Sequence, residues 1–320
     1  MATYQNASTQ YLTNPHLPST VYAYRLLGPL SSPKTPDNEP PLLFLPHFRG
    51  TMDLIDPLLI NSLARTRRVL LIDYGGVGKS RGEVARTAGG VAAQILSFLR
   101  LADFHVVDLL GFSVGSRIAQ LVALNAEASG TGVRVRKLIV AGGTANPTPS
   151  NGIVGPSPER DELVPKLAAA PMLPFESFHT LFFSPDEVGR KACLKWWARL
   201  KERNEQTSGE KISPWVDEGY TSWDDAKAIH AQASQLSTFD TADTSVGNEG
   251  SFDRLKEWEG PVLVANGSDD FMVPTINSFT TAQQLKKGKL IIYPNSGHGF
   301  LYQYAEEFAA DVEYFLTHAE

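Results

Sequence analysis

Cysteine is nearly missing from this chain: Cys193 is alone among 320 residues, so no disulfide can form within it. A lone thiol also fits a reducing compartment better than an oxidising one. No apolar run approaches the roughly 20 residues needed to cross a bilayer. The first twenty residues are polar and lack the apolar centre of a secretory leader, so none is expected, and the chain is expected to work in the cytoplasm. The triplets beginning at Asn6 and Asn266 are then expected to carry no glycan. Clustered positive charge is absent too. Lys and Arg number 29 against 35 Asp and Glu, the net charge is −6, and the basic residues are scattered. That excludes a nucleic-acid groove or an anionic membrane surface as partner and leaves a small-molecule substrate. There is no internal repeat, no low-complexity tract, and no His/Cys/carboxylate cluster at metal-ligand spacing, so neither metal nor cofactor is expected. The oligomeric state is open.

What the chain does have is alternation. Compact runs rich in Val, Ile and Leu occur at Val21–Leu27, Leu42–Leu45, Val69–Asp73, Val106–Leu110, Lys137–Ala141, Val262–Ala265 and Leu290–Tyr293. Runs apolar on successive residues suit strands buried on both faces. Between them lie helical stretches at Gly89–Arg100, Ser116–Ala126, Ile276–Leu285 and Ala305–Thr317. The pattern predicts an α/β fold: a mostly parallel central sheet flanked by helices. It breaks after a Pro/Ser/Gly-rich opening at Asn146–Pro158. From there to Asn248 the chain reads as helices, including Ser184–Arg203 and Ser222–Leu236, and is rich in Phe, Trp and Tyr. The expected organisation is a core in two parts, 1–145 and 249–320, with a helical cap inserted at 146–248. The cap's aromatics could pack its own small core or line an apolar pocket.

Three short segments carry the chemistry. Gly111-Phe112-Ser113-Val114-Gly115 follows an apolar strand and precedes a helical run. Small residues on either side of Ser113 let strand and helix approach, which pushes the serine outward at a sharp turn. The unpaired N–H groups of the helix start then face whatever it attacks. A serine hydroxyl needs a base, and the base an orienting acid. His298, in Gly297-His298-Gly299-Phe300, lies just past the last strand, at the edge where sites gather in parallel sheets. The flanking glycines are taken to permit an exposed, unusual backbone path. The acid follows the preceding strand, where Asp269 and Asp270 are adjacent. Successive extended side chains diverge, so one of the two should reach the histidine. Asp270, three residues past Gly267 and four before Pro274, is the choice, and Asp269 is read as a solvated turn residue.

Taken together, in the order Ser113, Asp270, His298, these segments resemble the α/β-hydrolase superfamily, serine-nucleophile branch, over nearly the whole chain. Leu45-Pro46-His47-Phe48-Arg49-Gly50 resembles that family's His-Gly oxyanion loop, with Phe48 where glycine is usual. The resemblance implies an oxyanion hole formed by the backbone N–H groups of Phe48 and Val114. Asp73-Tyr74-Gly75-Gly76-Val77-Gly78-Lys79-Ser80 resembles the family's Asp-x-x-Gly-x-Gly-x-Ser turn. His47 and Arg49 are the candidate substrate contacts. His47 is otherwise a support for the oxyanion loop, while Arg49, like Arg117, could instead pair with a nearby carboxylate.

Gly78-Lys79-Ser80 is not a phosphate loop, because Asp73 stands where that motif needs glycine. The dinucleotide fingerprint fails as well, since Arg81 fills the place of its third glycine. His105 and His230 read as ordinary packing or surface residues. The expected activity is that of a serine hydrolase cleaving an ester, lactone or thioester of a small, apolar substrate through an acyl-enzyme. The alternatives are the same three residues acting on an amide or C–C bond or in perhydrolysis, and a ligand-binding receptor with little turnover. A nucleophilic aspartate is excluded by the serine at position 113.

Overall fold

The computed structural model describes residues 1–29, 39–144, 152–155, 157–170, 173–212, 232 and 250–320. The described residues form one sheet of eight strands in the order β1-β2-β4-β3-β5-β6-β7-β8. Its strands are β1 (Gln10–Thr13), β2 (Val21–Leu27), β3 (Leu42–Leu45), β4 (Val69–Ile72), β5 (Val106–Phe112), β6 (Arg134–Ala141), β7 (Val262–Gly267) and β8 (Gly288–Tyr293). β1 and β2 are antiparallel, and all pairings from β4 to β8 are parallel. Every residue of β3, β4 and β7 is buried, as continuous apolar runs in an interior parallel sheet require. β8 closes one edge and keeps much of its surface in solvent.

The helices are α1 (Pro57–Leu63), α2 (Ala88–Leu101), α3 (Val114–Asn125), α4 (Pro158–Ala169), α5 (Phe175–Phe182), α6 (Glu187–Arg199), α7 (Glu205–Ser208), α8 (Ile276–Gln283), α9 (Phe300–Gln303) and α10 (Ala305–His318). α2 packs on α3, and α1 on α10. In α2 the residues Val91, Ala92, Ile95, Leu96, Phe98 and Leu99 recur at helical spacing and all are buried, so the apolar stripe forms the packing face. Thr87 caps that helix through its hydroxyl, which accepts from the Gly90 N–H at 3.1 Å. α4 to α7 all belong to the chain between β6 and β7, where the sequence breaks its alternation. The expected helix at Ser184–Arg203 is α6 followed by one 3₁₀ turn, Leu200–Glu202, because Asp186 caps its start through the Gly189 N–H. The helix expected at Ser222–Leu236, with His230, lies outside the described residues, Gln232 excepted.

Pairing register fixes where loops emerge. Leu45 sits opposite Gly111, Phe112 opposite Ala141, Ala141 opposite Ala265, and Gly267 opposite Tyr293. The C-terminal ends of five parallel strands are therefore level. The loops beginning after Leu45, Phe112, Ala141, Gly267 and Tyr293 all open on one edge of the sheet.

Two largely buried ionic anchors tie the β6–β7 segment to this frame. Arg199 of α6 donates two hydrogen bonds to Asp56, the N-cap of α1, at 2.8 and 2.5 Å, and a third to the Tyr302 carbonyl. Burial pushes the Asp56 carboxyl up despite the guanidinium beside it. Arg203 reaches Glu210 at 3.1 Å and Asp53 at 3.4 Å, and Asp53 pairs with Arg25 of β2 at 2.7 Å. Neither anchor has a local sequence signal, because each joins residues more than a hundred positions apart or charges without helical spacing.

Candidate active site

Ser113 occupies the sharp turn between β5 and α3 with φ 57° and ψ −122°. A non-glycine residue held there stores strain of about 1–3 kcal/mol, so the surroundings must over-determine it. They do. Its N–H donates to the Ala141 carbonyl at 2.9 Å, and its carbonyl accepts from the Ser116 N–H and hydroxyl at 3.0 and 2.6 Å. The neighbouring glycines are required by contact. A Cβ on Gly111 would lie 2.2 Å from the Gly115 oxygen, and one on Gly115 would lie 2.1 Å from the Leu45 oxygen. Backbone stands on both sides, so no larger residue fits. Ser113 does not cap α3 with its side chain, which leaves the hydroxyl for other partners. Val114, the first residue of that helix, has one of the N–H groups that find no acceptor within the helix.

The hydroxyl's partner is His298. Ser113 Oγ–H donates to His298 Nε2 at 2.8 Å, and His298 Nδ1–H donates to Asp270 Oδ2, also at 2.8 Å. The other carboxylate oxygen of Asp270 accepts from the N–H groups of Met272 and Val273 at 2.8 and 2.9 Å. With both oxygens occupied the carboxylate is fixed in direction, and it fixes the imidazole in the tautomer whose Nε2 is a free base. Asp269 faces solvent and accepts from the Ser268 hydroxyl. His298 is 1% exposed, with its ring 5.0 Å from that of Phe112 and 5.4 Å from that of Phe182. Ser113 remains partly open to solvent.

The glycines flanking His298 have a different reason from the one expected. The histidine is buried, and neither glycine has a positive φ. They are small because the chain at Phe182–Phe183 lies on them. Cβ atoms on Gly297 and Gly299 would come within 2.9 and 3.0 Å of the Phe182 oxygen, which accepts the Gly299 N–H at 2.5 Å. The histidine loop and the β6–β7 segment are in backbone contact.

The two candidate substrate contacts are both buried and have protein partners. His47 is 4% exposed, wedged edge-on against Phe112 and Phe182, with Nδ1–H donating to the Phe48 carbonyl at 2.7 Å. Burial drives its pKa down to about 4, against the opposing bond to Phe48, with the charges of His298 and Arg49 adding to the fall. It is a neutral prop of the loop. Arg49 is 2% exposed, and its Nη1 donates to the Ala170 carbonyl at 2.7 Å. That bond commits one nitrogen of its guanidinium to the β6–β7 segment.

Asp73, in the family-like turn after β4, links two loops. One oxygen accepts the Met52 N–H and the other the Lys79 N–H, both at 2.7 Å. Its carboxylate thereby ties the loop after β3 to the turn after β4. A Cβ on Gly78 would strike that carboxylate at 2.4 Å, which explains the glycine. Burial raises the Asp73 pKa to about 6, against the bond from Lys79. Among the described residues no group of His, Cys, Asp and Glu could hold a metal ion, and no helix is long and apolar enough to cross a membrane.

The sequence profile of the alpha/beta hydrolase fold matches residues 40–304. An alpha/beta hydrolase fold protein from Chitinophaga pinensis superimposes with a TM-score of 0.77 at 30% identity, covering 99% of this chain and 100% of that one. An esterase from Rhodococcus sp. ECU1013 aligns at TM-score 0.66 and 18% identity over 98% of this chain and all of that one. The enol-lactonase from Burkholderia xenovorans LB400 aligns at TM-score 0.67 and 15% identity over 96% of this chain and all of that one. These last two likenesses are of fold. No curated protein matches the sequence.

Proposed function

This chain belongs to the alpha/beta hydrolase family, and from that premise we propose that it is a serine hydrolase cleaving the ester, lactone or thioester of a small, apolar substrate. The observation that carries the reading is the imidazole of His298 hydrogen-bonded on both sides, to Ser113 Oγ and to Asp270 Oδ2, each at 2.8 Å. In the proposed reaction Ser113 Oγ attacks the carbonyl carbon while Nε2 of His298 takes its proton. The carbonyl oxygen becomes an alkoxide and receives the N–H groups of Phe48 and Val114. Each such donor contributes about 2.7–4 kcal/mol in other acyl-transfer enzymes. As the alkoxide collapses, His298 gives its proton to the departing alcohol or thiol, or to the ring-opened hydroxyl of a lactone. Water enters, loses a proton to His298 and attacks the acyl-enzyme, which releases the acid and restores Ser113. Asp270 holds the imidazole in register and stabilises its positive form.

In this reading the β6–β7 segment serves as a cap. Its Phe182, with its ring 5.4 Å from that of His298, gives the site an apolar neighbour. The buried thiol of Cys193, held up to about 12 by burial, takes no part. A single buried cysteine supports work in the cytoplasm.

The test is turnover of p-nitrophenyl acetate and butyrate and of simple lactones, with labelling by a fluorophosphonate probe. Turnover and labelling at position 113, both lost in Ser113→Ala, are expected. Wild-type protein that is folded yet neither labels nor turns over any of these substrates overturns the proposal. Tight ligand binding with no product would favour a receptor.

A further inference from the structure

The turn that carries the Phe48 amide contains a residue in an unfavourable conformation. Arg49 has φ 63°, in the left-handed region that a side chain normally avoids. The turn itself is closed by the Gly50 N–H donating to the His47 carbonyl at 2.8 Å. A glycine at position 49 would relieve the strain, so the arginine side chain must return something for it.

What it returns is attachment. Nη1 donates to the Ala170 carbonyl at 2.7 Å, and the backbone N–H of the same residue donates to Gln232 Oε1 at 3.1 Å. Ala170 and Gln232 both belong to the chain between β6 and β7. On the other side, Met52 is bonded to Asp73, and Asp53 to Arg25. The loop is thus fastened to the core at residues 52 and 53 and to the β6–β7 segment at residue 49. The proposed oxyanion donor, Phe48, is next to the second of these fastenings. A hydrogen-bonded guanidinium at 2% exposure is costly to bury, and that cost is sustained only by a defined geometry at its carbonyl partner.

We infer that Arg49 is a positioning residue: by binding the 47–50 turn to the β6–β7 segment at Ala170 and Gln232, it holds the Phe48 N–H in the attitude that receives the oxyanion. The segment over the site and the oxyanion loop then behave as one unit. The inference rests on the hydrolase reading and adds to it the way in which the hole is kept in shape. An oxyanion contact acts in the transition state, so losing its alignment lowers kcat and leaves KM nearly alone.

The experiment compares wild type with Arg49→Ala, Arg49→Lys and Gln232→Leu, using p-nitrophenyl butyrate as substrate and an aryl trifluoromethyl ketone as transition-state analogue. Arg49→Ala is expected to lower kcat about 10- to 100-fold, less than deleting a donor outright, with KM within about threefold. Its inhibition constant for the ketone rises by a similar factor. Millimolar guanidinium, which fits the space left by the side chain, restores part of the rate. Arg49→Lys keeps the charge but not the fork and falls between. Gln232→Leu breaks only the backbone tie and lowers kcat less, in the same direction. It also serves where Arg49→Ala loses its fold, as read by circular dichroism. Unchanged kcat in folded Arg49→Ala and Gln232→Leu overturns the inference alone. So does a rise in KM at constant kcat, which would mark a substrate contact. A wild type that neither hydrolyses the ester nor binds the ketone overturns the hydrolase reading and this inference together.

Discussion

Replacing His47 by asparagine should reshape the acid limb of the stability curve. The His47 imidazole is neutral in the folded protein down to about pH 4, because burial between Phe112 and Phe182 penalises its charged form. In the unfolded chain it takes up a proton near its ordinary 6.5. Between those values the unfolded state binds a proton that the folded state does not, so stability falls as the pH falls. The gap spans about 2.5 pH units, and at about 1.4 kcal/mol per unit it amounts to about 3 kcal/mol lost by pH 4. Asp73, on the same loop system, has the opposite sign. Its folded pKa is raised from 3.8 to about 6, so its contribution is fully present below about pH 3.8 and is lost as the pH rises through 6. Over pH 4 to 6 the two slopes nearly cancel in the wild type.

Asparagine at position 47 retains a side-chain donor for the Phe48 carbonyl but cannot titrate. It leaves a gap between the two phenylalanines that costs about 1–3 kcal/mol at every pH. Urea unfolding of both proteins from pH 8 to pH 4 separates the effects. Above pH 6.5 the wild type should lead by a constant margin. Below it the margin should shrink by about 3 kcal/mol at pH 4 as the histidine exacts its protonation cost from the wild type alone. Stability curves that stay parallel from pH 7 to pH 4 would refute the reasoning and mean that the His47 ring protonates as easily folded as unfolded.

Gly115→Ala puts a methyl 2.1 Å from the Leu45 backbone oxygen, where no side chain can yield; a loss of about 3 kcal/mol in urea, or failure to fold, is expected, and near-wild-type stability would contradict the contact. Asp270→Asn should leave the fold intact and lower kcat on p-nitrophenyl esters by about 10⁴-fold, because the carboxamide no longer fixes the His298 tautomer; a loss under tenfold would remove Asp270 from the proposed role. Arg199→Ala strands the buried Asp56 carboxylate and should cost about 3 kcal/mol at neutral pH, with the cost shrinking as Asp56 is protonated in acid; a pH-independent cost would point to lost packing alone.

What the sequence made legible follows the range of the interactions involved. Strands β3, β4 and β7 are visible because an interior parallel strand must be apolar on both faces, so their identity is written in about four consecutive letters. β1 carries no such signal, because Gln10–Thr13 is four residues long and mostly exposed, and is a strand only because β2 offers it an edge. α1 is only seven residues long and begins at a proline, so its periodicity is weak, although Asp56 and Pro57 form a recognisable helix start. Ser113, Asp270 and His298 could be picked out because each sits at a fixed offset from the end of a strand, and level strand ends bring such offsets together. The choice between Asp269 and Asp270 was also local, since side chains on successive residues diverge.

The second layer of the site obeys different rules. His47, Arg49, Asp73 and the glycines at 297 and 299 are each explained by atoms remote in sequence: Phe182, Ala170, Met52 and the Phe182 carbonyl. Their letters were noticed, but the partners that give them meaning carry no spacing signal. Two arginines illustrate the consequence. From sequence, Arg49 beside the candidate oxyanion donor invites a role in binding an anionic substrate, while Arg199 in an amphipathic helix invites none. Folded, both do the same job from opposite directions, with one guanidinium of the core reaching a carbonyl of the β6–β7 segment and one guanidinium of that segment reaching a carboxylate of the core. Each guanidinium with a fixed hydrogen-bond partner across the two pieces of chain is a fastener, because moving it leaves a buried acceptor without its donor. The proposed active site therefore lies between two pieces of chain that are bolted together, and its substrate must enter where those fastenings leave Ser113 open to solvent.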